Sequence, residues 1–530
     1  MIHSTRDLPA GHVHHGDLCV IGSGAAGIVL AHALANSGLR IVVLESGTVR
    51  RPGRAPAGPD PRNHVDVVGH AYDGALAGRA RAFGGTTTIW AGQSLPLDPI
   101  DFEARPWVPG SGWPIGPETI APYWERAERY LRLSGMRYAD AAWRTLDRAP
   151  PPLDGSGLRP VASWMARNRD FARLYRADLN GDDNVEVLLE ATAMAIRPPS
   201  CGGGRYAVRF LTAAGREATV ESDLVVICCG GLETPRLLLA STEGVPAGLG
   251  NAHGLVGRYL MDHPAGVCAT VADPDLARLT DWFRPFYRRE GRVVPKIALG
   301  ETVQRRHRTL NALAELAFVP RAGSGFAAAV DCRAEWRAGR PMRAARHALA
   351  LAGSGREASS LLWQRLVARR RPVGAVADIG LVATVEQAPD PDSRVTLSDS
   401  LDEAGMRRAR VDWRLSEAER HTLRVFVATL SDAFARIGLG RVVEAAELAD
   451  GQAWALGLTD SYHPMGTTRM ASDPRRGVVN ANLQVHGHPG LFVASSAVFP
   501  TGGASNPTLT LIALTLRLAD HLRARGRPPT

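Results

Sequence analysis

Asp17-Leu18-Cys19-Val20-Ile21-Gly22-Ser23-Gly24-Ala25-Ala26-Gly27 opens a stretch that continues through a helical run to Leu39-Arg40-Ile41-Val42-Val43-Leu44-Glu45-Ser46-Gly47. Leu18 to Ile21 is short, apolar and bounded by glycine, as a buried parallel strand is. Gly22, Gly24 and Gly27 follow as G-x-G-x-x-G at the strand-to-helix turn. In that pattern the first glycine permits the tight turn, the second admits a pyrophosphate to the backbone, and the third lets helix and sheet approach closely. A helix over 25–37, capped by Gly38, would point its amides and positive dipole end at that phosphate. Ile41 to Leu44 reads as the second strand. Glu45 stands 18 residues after Gly27, where a carboxylate can accept hydrogen bonds from a ribose. The whole strand, turn, helix, strand and acid order specifies a dinucleotide site, where a bare glycine motif would not. Its place early in a long chain favours FAD over NAD.

Composition narrows the function classes. The 530 residues suffice for more than one domain, and 45% hydrophobic with 22% charged residues is ordinary for a globular protein. The net charge of +9 invites a nucleic-acid reading. However, Lys296 is the only lysine among 62 basic residues, a skew that fits a GC-rich genome better than a selected binding surface. Nucleic acid is therefore not expected as a partner. None of the six cysteines forms C-x-x-C or C-x-x-C-H, so no metal or haem site is predicted. His12, His14 and His15 are read as a solvated leader. Without a signal-peptide pattern or a membrane-length apolar run, a cytoplasmic protein is expected.

Further along, Arg50 to Asp66 is a Pro/Arg/Gly-rich loop, and Arg81-Ala-Phe-Gly-Gly-Thr-Thr-Thr-Ile-Trp-Ala-Gly follows. Gly84 and Gly85 free the backbone there, and Thr86, Thr87 and Thr88 supply hydroxyls and amides for a second cofactor contact. With Asp101-Phe-Glu-Ala-Arg-Pro-Trp and Ser111-Gly-Trp-Pro-Ile, this segment resembles the glucose–methanol–choline (GMC) oxidoreductases. The likeness is nearest to their pyranose oxidase and bacterial sugar or polyol dehydrogenase branch. The resemblance implies an α/β fold: a Rossmann-like FAD-binding domain interleaved with a substrate-binding domain on a mainly antiparallel sheet. It assigns FAD contacts to Gly22, Ser23, Gly24, Ala25, Ala26, Gly27, Glu45, Ser46, Gly84, Gly85, Thr86, Thr88, Trp90 and Ala91. Some relatives link a histidine covalently to the flavin; Ile89 stands at that position, which implies non-covalent FAD.

The remaining landmarks follow the same pattern. A helix is expected over 118–134, loop over 140–160, and strands at 185–189 and 193–196, with 205–211 and 218–220 forming an antiparallel ribbon. Leu224 to Gly231 reads as a third buried strand, and the following helix should start at Thr234-Pro235 as N-cap and first residue. The resemblance adds Ala193 and Gly230 to the adenosine pocket. Gly257-Arg-Tyr-Leu-Met-Asp-His-Pro matches another family segment, in which His263 is read as structural. Strands at 375–387 and 394–397 and a helix over 417–437 belong to the least legible region. Within it, Arg333 to Arg371 is arginine-rich and helical. It fits a surface for a membrane or an electron-accepting partner, or else a solvated insertion or lid; Gly353 and Gly355 break its apolar face and weigh against the membrane.

Ser461-Tyr-His-Pro-Met-Gly-Thr-Thr-Arg-Met and the segment 491–510 resemble the family's C-terminal motifs. His463 and Asn506, 43 residues apart, match its paired active-site positions. The resemblance makes His463 the base that takes the hydroxyl proton and Asn506 the group that orients the hydroxyl, while flavin N5 takes the hydride. Ser495 stands where many relatives have an aspartate, and Thr508 opens the last helix at the flavin. The expected organisation is FAD-binding at 1–105, a substrate-domain or cap segment at 106–184, FAD-binding again at 185–275, substrate-binding at 276–450, and FAD-binding with catalysis at 451–530. The expected reaction is oxidation of an alcohol, on a sugar, glycoside or cyclic polyol, to a carbonyl. Electrons would pass to oxygen, a quinone or a separate redox protein. A non-redox lyase on this fold and an NAD-dependent dehydrogenase are the rival readings.

Overall fold

A computed structural model describes residues 1–50, 59–133, 135–138, 141–200, 203–451 and 453–525. The first sheet grows outward from the opening motif. Val13–Ile21 pairs in parallel with Ile41–Glu45 on one side and with Glu217–Ile227 on the other. Val185–Leu189 and Ile2–Ser4 extend it beyond Ile41–Glu45, and Leu491–Val493 joins beside Glu217–Ile227, all in parallel. Strands buried on both faces must be apolar throughout, and Leu18, Cys19, Val20, Val225, Val226 and Ile227 are fully buried. An antiparallel extension, Thr192–Arg197 against Tyr206–Leu211, completes eight strands. Helix Ala25–Leu34 and the last helix, Thr508–Arg525, pack together, with Pro117–Tyr130 against the latter.

The second sheet is antiparallel. Its order runs Arg441–Glu444, Ala265–Ala272, Val376–Val385, Ala312–Pro320, Gly291–Leu299, Leu158–Ala166 and Gln93–Ser94. Helix Glu417–Ile437 covers it with Phe426, Leu430 and Phe434. Ser416 and Glu419 form a capping box at its start, and Gly438 at φ +65° ends it, so its sequence bounds are its structural bounds. A small third sheet joins Arg394–Leu401, Arg407–Trp413 and Asp66–Gly69. The fold is thus a Rossmann-type sheet combined with a large antiparallel sheet.

Several expectations change. The first helix ends at Leu34 and Pro117–Tyr130 at Tyr130, each short of the predicted bound. His14 and His15 lie within strand Val13–Ile21, where His14 approaches Glu186 at 3.6 Å, so this part of the leader is ordered sheet. Residues 140–160 are not all loop: Ala141–Thr145 is helical and Leu158 begins a strand. Segments 218–220 and 224–227 belong to one strand, Glu217–Ile227; its first half pairs antiparallel with Tyr206–Leu211 on one side while nearly its whole length runs parallel to Val13–Ile21 on the other. The helix after it starts at Gly230, with Pro235 inside it rather than at its start. The arginine-rich segment is three helices, Gly325–Arg337, Pro341–Gly353 and Arg356–Leu366, broken near the glycines that interrupt its pattern. Part of the 50–66 loop, residues 51–58, lies outside the described residues.

Candidate active site

The glycine loop is built by close backbone contacts. A Cβ on Gly27 would lie 1.9 Å from the Gly22 carbonyl oxygen, and one on Gly22 would lie 2.8 Å from the Cys228 carbonyl oxygen. Helix, loop and neighbouring strand therefore meet only because both side chains are absent. Gly85 packs onto Gly24 in the same way, its Cβ position 2.7 Å from the Gly24 Cα. Gly24 itself faces open space, with nothing within 4 Å of its Cβ position, and it caps helix Ala25–Leu34 without a side-chain hydrogen bond. The helix start thus presents backbone amides to a cavity of about 280 Å³.

Gly22, Ser23, Gly24, Ala25, Ala26, Glu45, Ser46, Gly85, Thr86, Trp90, Ala193, Gly230, Ser495 and Thr508 all line that cavity. Gly27 and Gly84 do not; they shape the backbone behind it. Glu45 is buried. Its carboxylate accepts from the Ser23 amide at 3.1 Å, the Ser23 hydroxyl at 2.6 Å and the Gly47 amide at 2.8 Å. It fastens the glycine loop to the second strand and retains lone pairs for a ribose. Burial raises its pKa against those three bonds. Thr87 and Thr88 turn their hydroxyls onto the carbonyls of Gly84 and Gly85, so the expected donors bind their own loop. Arg79 and Arg81, which the sequence reading left out, grip Glu233 at 2.6 and 3.1 Å beside the cavity.

A second cavity of about 1540 Å³ adjoins the first, sharing Gly78, Thr86, Trp90, Tyr462, His463 and Thr508 with it. His463 and Asn506 line it together, and Thr88, Ala91, His263, Lys296, Glu315 and Thr384 line it as well. The glycine-loop amides of the first cavity, and His463 where it meets the second, fit FAD lying from the glycine loop toward the second cavity. Ile89 carries no group able to bond to a flavin.

His263 is buried and contacts the proposed base directly. Its Nδ1 lies 3.0 Å from His463 Nδ1, while its Nε2 lies 2.9 Å from the Gly503 carbonyl oxygen. Burial, opposed by the Gly502 and Gly503 carbonyls, lowers the pKa of His263 to about 4. Burial, then His263 and Lys296, push His463 well below its ordinary value. Both rings are therefore neutral at pH 7.

Asp262 holds the two segments in register. Its carboxylate accepts the amides of His263, Ser461 and His463 at 2.7, 3.0 and 2.9 Å, and the Tyr72 hydroxyl at 2.6 Å. Burial raises it to about 7, with the Tyr72 bond opposing and Asp460 adding to the rise. The turn bearing Asn506 is anchored in turn. Trp113 Nε1 donates to Thr501 Oγ1 at 2.9 Å, Thr501 donates to the Asp101 carbonyl at 2.7 Å, and Ser505 donates to the Pro96 carbonyl at 2.9 Å. Asp262 and the His263–His463 contact escaped sequence reasoning, although D-H-P and S-Y-H-P were both legible motifs. Among the described residues no group of side chains could hold a metal ion.

Residues 389–515 match the family model described as GMC oxidoreductase, and residues 20–83 match a NAD(P)-binding Rossmann-like domain. The chain is 26% identical to 2-methyl-1,2-propanediol dehydrogenase of Mycolicibacterium austroafricanum, covering 96% of this chain and 95% of that protein. It is 25% identical to the fructose dehydrogenase large subunit of Gluconobacter japonicus, covering 96% and 97%. A formate oxidase crystal structure matches in fold with a TM-score of 0.57 at 18% identity, covering 98% of this chain and 99% of that one. The glycine-loop cavity, the histidine-lined cavity beside it and these likenesses lead to one conclusion: the chain is an FAD-dependent alcohol oxidoreductase, similar along almost its whole length to the GMC oxidoreductases.

Proposed function

We propose that this enzyme oxidises a secondary or primary hydroxyl of a polyhydroxylated substrate (a sugar, glycoside or cyclic polyol) with His463 as general base and Asn506 orienting the hydroxyl. The observation that carries this reading is the hydrogen bond between His263 and His463. With both rings neutral, a proton on His263 Nε2 donates to the Gly503 carbonyl and leaves His263 Nδ1 as an acceptor. His463 then carries its proton on Nδ1 and donates it to His263. Its Nε2 keeps a bare lone pair, with no hydrogen-bond partner among the described residues. That is the tautomer a general base requires, and His263 is the positioning residue that selects it.

Bound FAD supplies the two-electron acceptor for the hydride leaving the alcohol carbon. His463 Nε2 takes the hydroxyl proton, and the Asn506 amide holds the substrate oxygen while its charge develops. Burial above all, and then the nearby His263 and Lys296, favour the unprotonated form of His463. The Lys296 ammonium is buried 3.9 Å from Glu315, and both line the second cavity with Thr384. Together these groups offer donors and acceptors for hydroxyls next to the reacting one, as a polyol needs. Two relatives with near-complete overlap are named for a diol and for fructose, which supports that class.

The test is an anaerobic titration of the yellow holoenzyme with sugars, glycosides and cyclitols, read at the visible flavin band. Bleaching by a polyol, lost in His463→Ala with the colour retained, is the expected result. A holoenzyme that no alcohol bleaches, or a His463→Ala variant that bleaches as fast as wild type, overturns the reading. Readmitting air then separates an oxidase, which recolours quickly, from a dehydrogenase.

A further inference from the structure

A third cavity, of about 1170 Å³, opens beside the catalytic one and shares the wall Ile89, Trp90 and Ala91 with it. Nine arginines line it, among them Arg169, Arg292, Arg333, Arg337, Arg365 and Arg369, and no aspartate or glutamate does. They converge from separate parts of the chain. Arg169 follows strand Leu158–Ala166, Arg292 lies in strand Gly291–Leu299, and the other four come from the helical insertion or its end.

None of the nine forms an ion pair among the described residues. The insertion's own acids are engaged elsewhere. Asp331 faces His347 at 3.8 Å, Glu335 pairs with Arg340 at 2.6 Å, and Glu357 accepts the amides of Gly325 and Ala375 at 2.7 and 2.9 Å. Residues 325–371 hold ten arginines against those three acids, so most of the chain's net charge of +9 gathers here. The guanidiniums repel one another. Burial first, then Arg337 and Arg292, lower the pKa of Arg169. Burial first, then Arg371 and Arg333, lower that of Arg292, with Tyr287 opposing. Most of these guanidiniums reach solvent and only Arg292 and Arg288 are half-buried, so the cluster is an open, unpaired concentration of like charge that an anion would relieve.

The cavity is also tied to the catalytic site. Trp90 lines all three cavities. Its Nε1 donates to the Arg169 carbonyl at 2.8 Å, and Arg169 Nε donates to the Trp90 carbonyl at 2.7 Å. Arg365 stacks on Tyr287 at 3.8 Å, which fixes its planar fork at the rim. The concave shape and a volume of about 1170 Å³, slightly above typical ligand sites, suit a small polyanion better than a flat protein face.

We propose that this arginine pocket is a phosphate-binding subsite, holding a phosphate or diphosphate carried by the molecule whose hydroxyl enters the catalytic cavity. Planar guanidinium forks match phosphate oxygens pairwise, and several of them can neutralise the charge of a diphosphate. The alcohol is then a phosphorylated sugar or polyol, either free in solution or attached to a lipid. This assignment rests on the alcohol-oxidation reading above, whereas the pocket's affinity for the anion does not.

The experiment is calorimetric titration of flavin-loaded enzyme with sodium pyrophosphate, for wild type, Arg333→Glu/Arg337→Glu and Arg333→Lys/Arg337→Lys. Saturable binding by wild type, at least tenfold weaker in the Glu variant and within threefold of wild type in the Lys variant, is expected, with flavin content equal in all three. Absence of saturable binding by wild type, or equal binding by the Glu variant, overturns the proposal. A second arm compares kcat/KM for a sugar and its phosphate ester on wild type. The phosphate should be preferred, and the preference should shrink at least tenfold in the Glu variant. Equal values, with pyrophosphate binding intact, overturn the link to substrate. Co-sedimentation with phosphatidylglycerol vesicles but not phosphatidylcholine vesicles, lost in the Glu variant, assigns the phosphate to a lipid; pyrophosphate binding without co-sedimentation assigns it to a soluble ester. Failure of every alcohol to bleach the flavin would leave the pyrophosphate result standing, so the two readings fail separately.

Discussion

At the scale of single residues, the proposed proton chemistry falls to the two histidines and the carboxylate behind them. His463→Ala removes the proposed base, and the rate of flavin reduction by substrate should then fall roughly 10²–10⁴-fold while bound flavin stays. The base works only when neutral, and its pKa lies below the ordinary histidine value. The acid limb of the rate should therefore fall below pH 6.5, with activity lost only as pH drops through the depressed value. Lys296 contributes to that depression, so Lys296→Met should move the acid limb upward, as stopped-flow measurements across pH would detect. Asp262→Ala would leave the amides of His263, Ser461 and His463 without their acceptor. Each unpaired buried donor costs about 1–3 kcal/mol, so the variant should lose several degrees of Tm as well as catalytic register.

The element that matters most is the strand, glycine turn and helix at 13–34. Two substitutions in it should behave differently. The Cβ of Gly27→Ala would sit 1.9 Å from a backbone oxygen, so helix and strand must separate and both folding and flavin retention should suffer. The Cβ of Gly24→Ala meets no protein atom within 4 Å. That variant should fold with an unchanged Tm as apoprotein, yet release FAD, because the methyl occupies the space the pyrophosphate needs. Ratios of flavin to protein, alongside thermal melts of the apoproteins, distinguish the two. The elements around this one differ in how far they could be read. Helix Glu417–Ile437 was legible to the residue because its capping box and its terminal glycine are local signals. The helix at Gly230 starts five residues before the expected Pro235, because Pro235 suggests a start that tertiary contacts override.

Over the whole molecule, the segment around residues 99–113 is fastened to the second sheet through buried polar groups as well as through apolar packing. Arg105 and Glu386, 281 residues apart and with fully buried side chains, form a bidentate pair at 2.8 and 2.5 Å. Glu386 also accepts the Asn311 amide at 2.9 Å. Arg105→Met would strand Glu386 as a buried, uncompensated charge. Denaturant unfolding of the holoenzyme should register a loss of about 3–5 kcal/mol.

By itself, the sequence determined the dinucleotide-binding sheet, the family likeness and the two residues, His463 and Asn506, that line the second cavity together. Those features depend on contiguous patterns: an apolar run, glycines where backbone meets backbone, and motifs a few residues long. Only the tertiary structure decided what surrounds them. His263 reaches His463 across 200 residues of chain. Lys296 comes to the same cavity from the middle of an antiparallel strand, and arginines from several segments meet beside Trp90. No local pattern carries such contacts, because they follow from how the sheets pack, and packing is fixed by the summed burial of the whole chain.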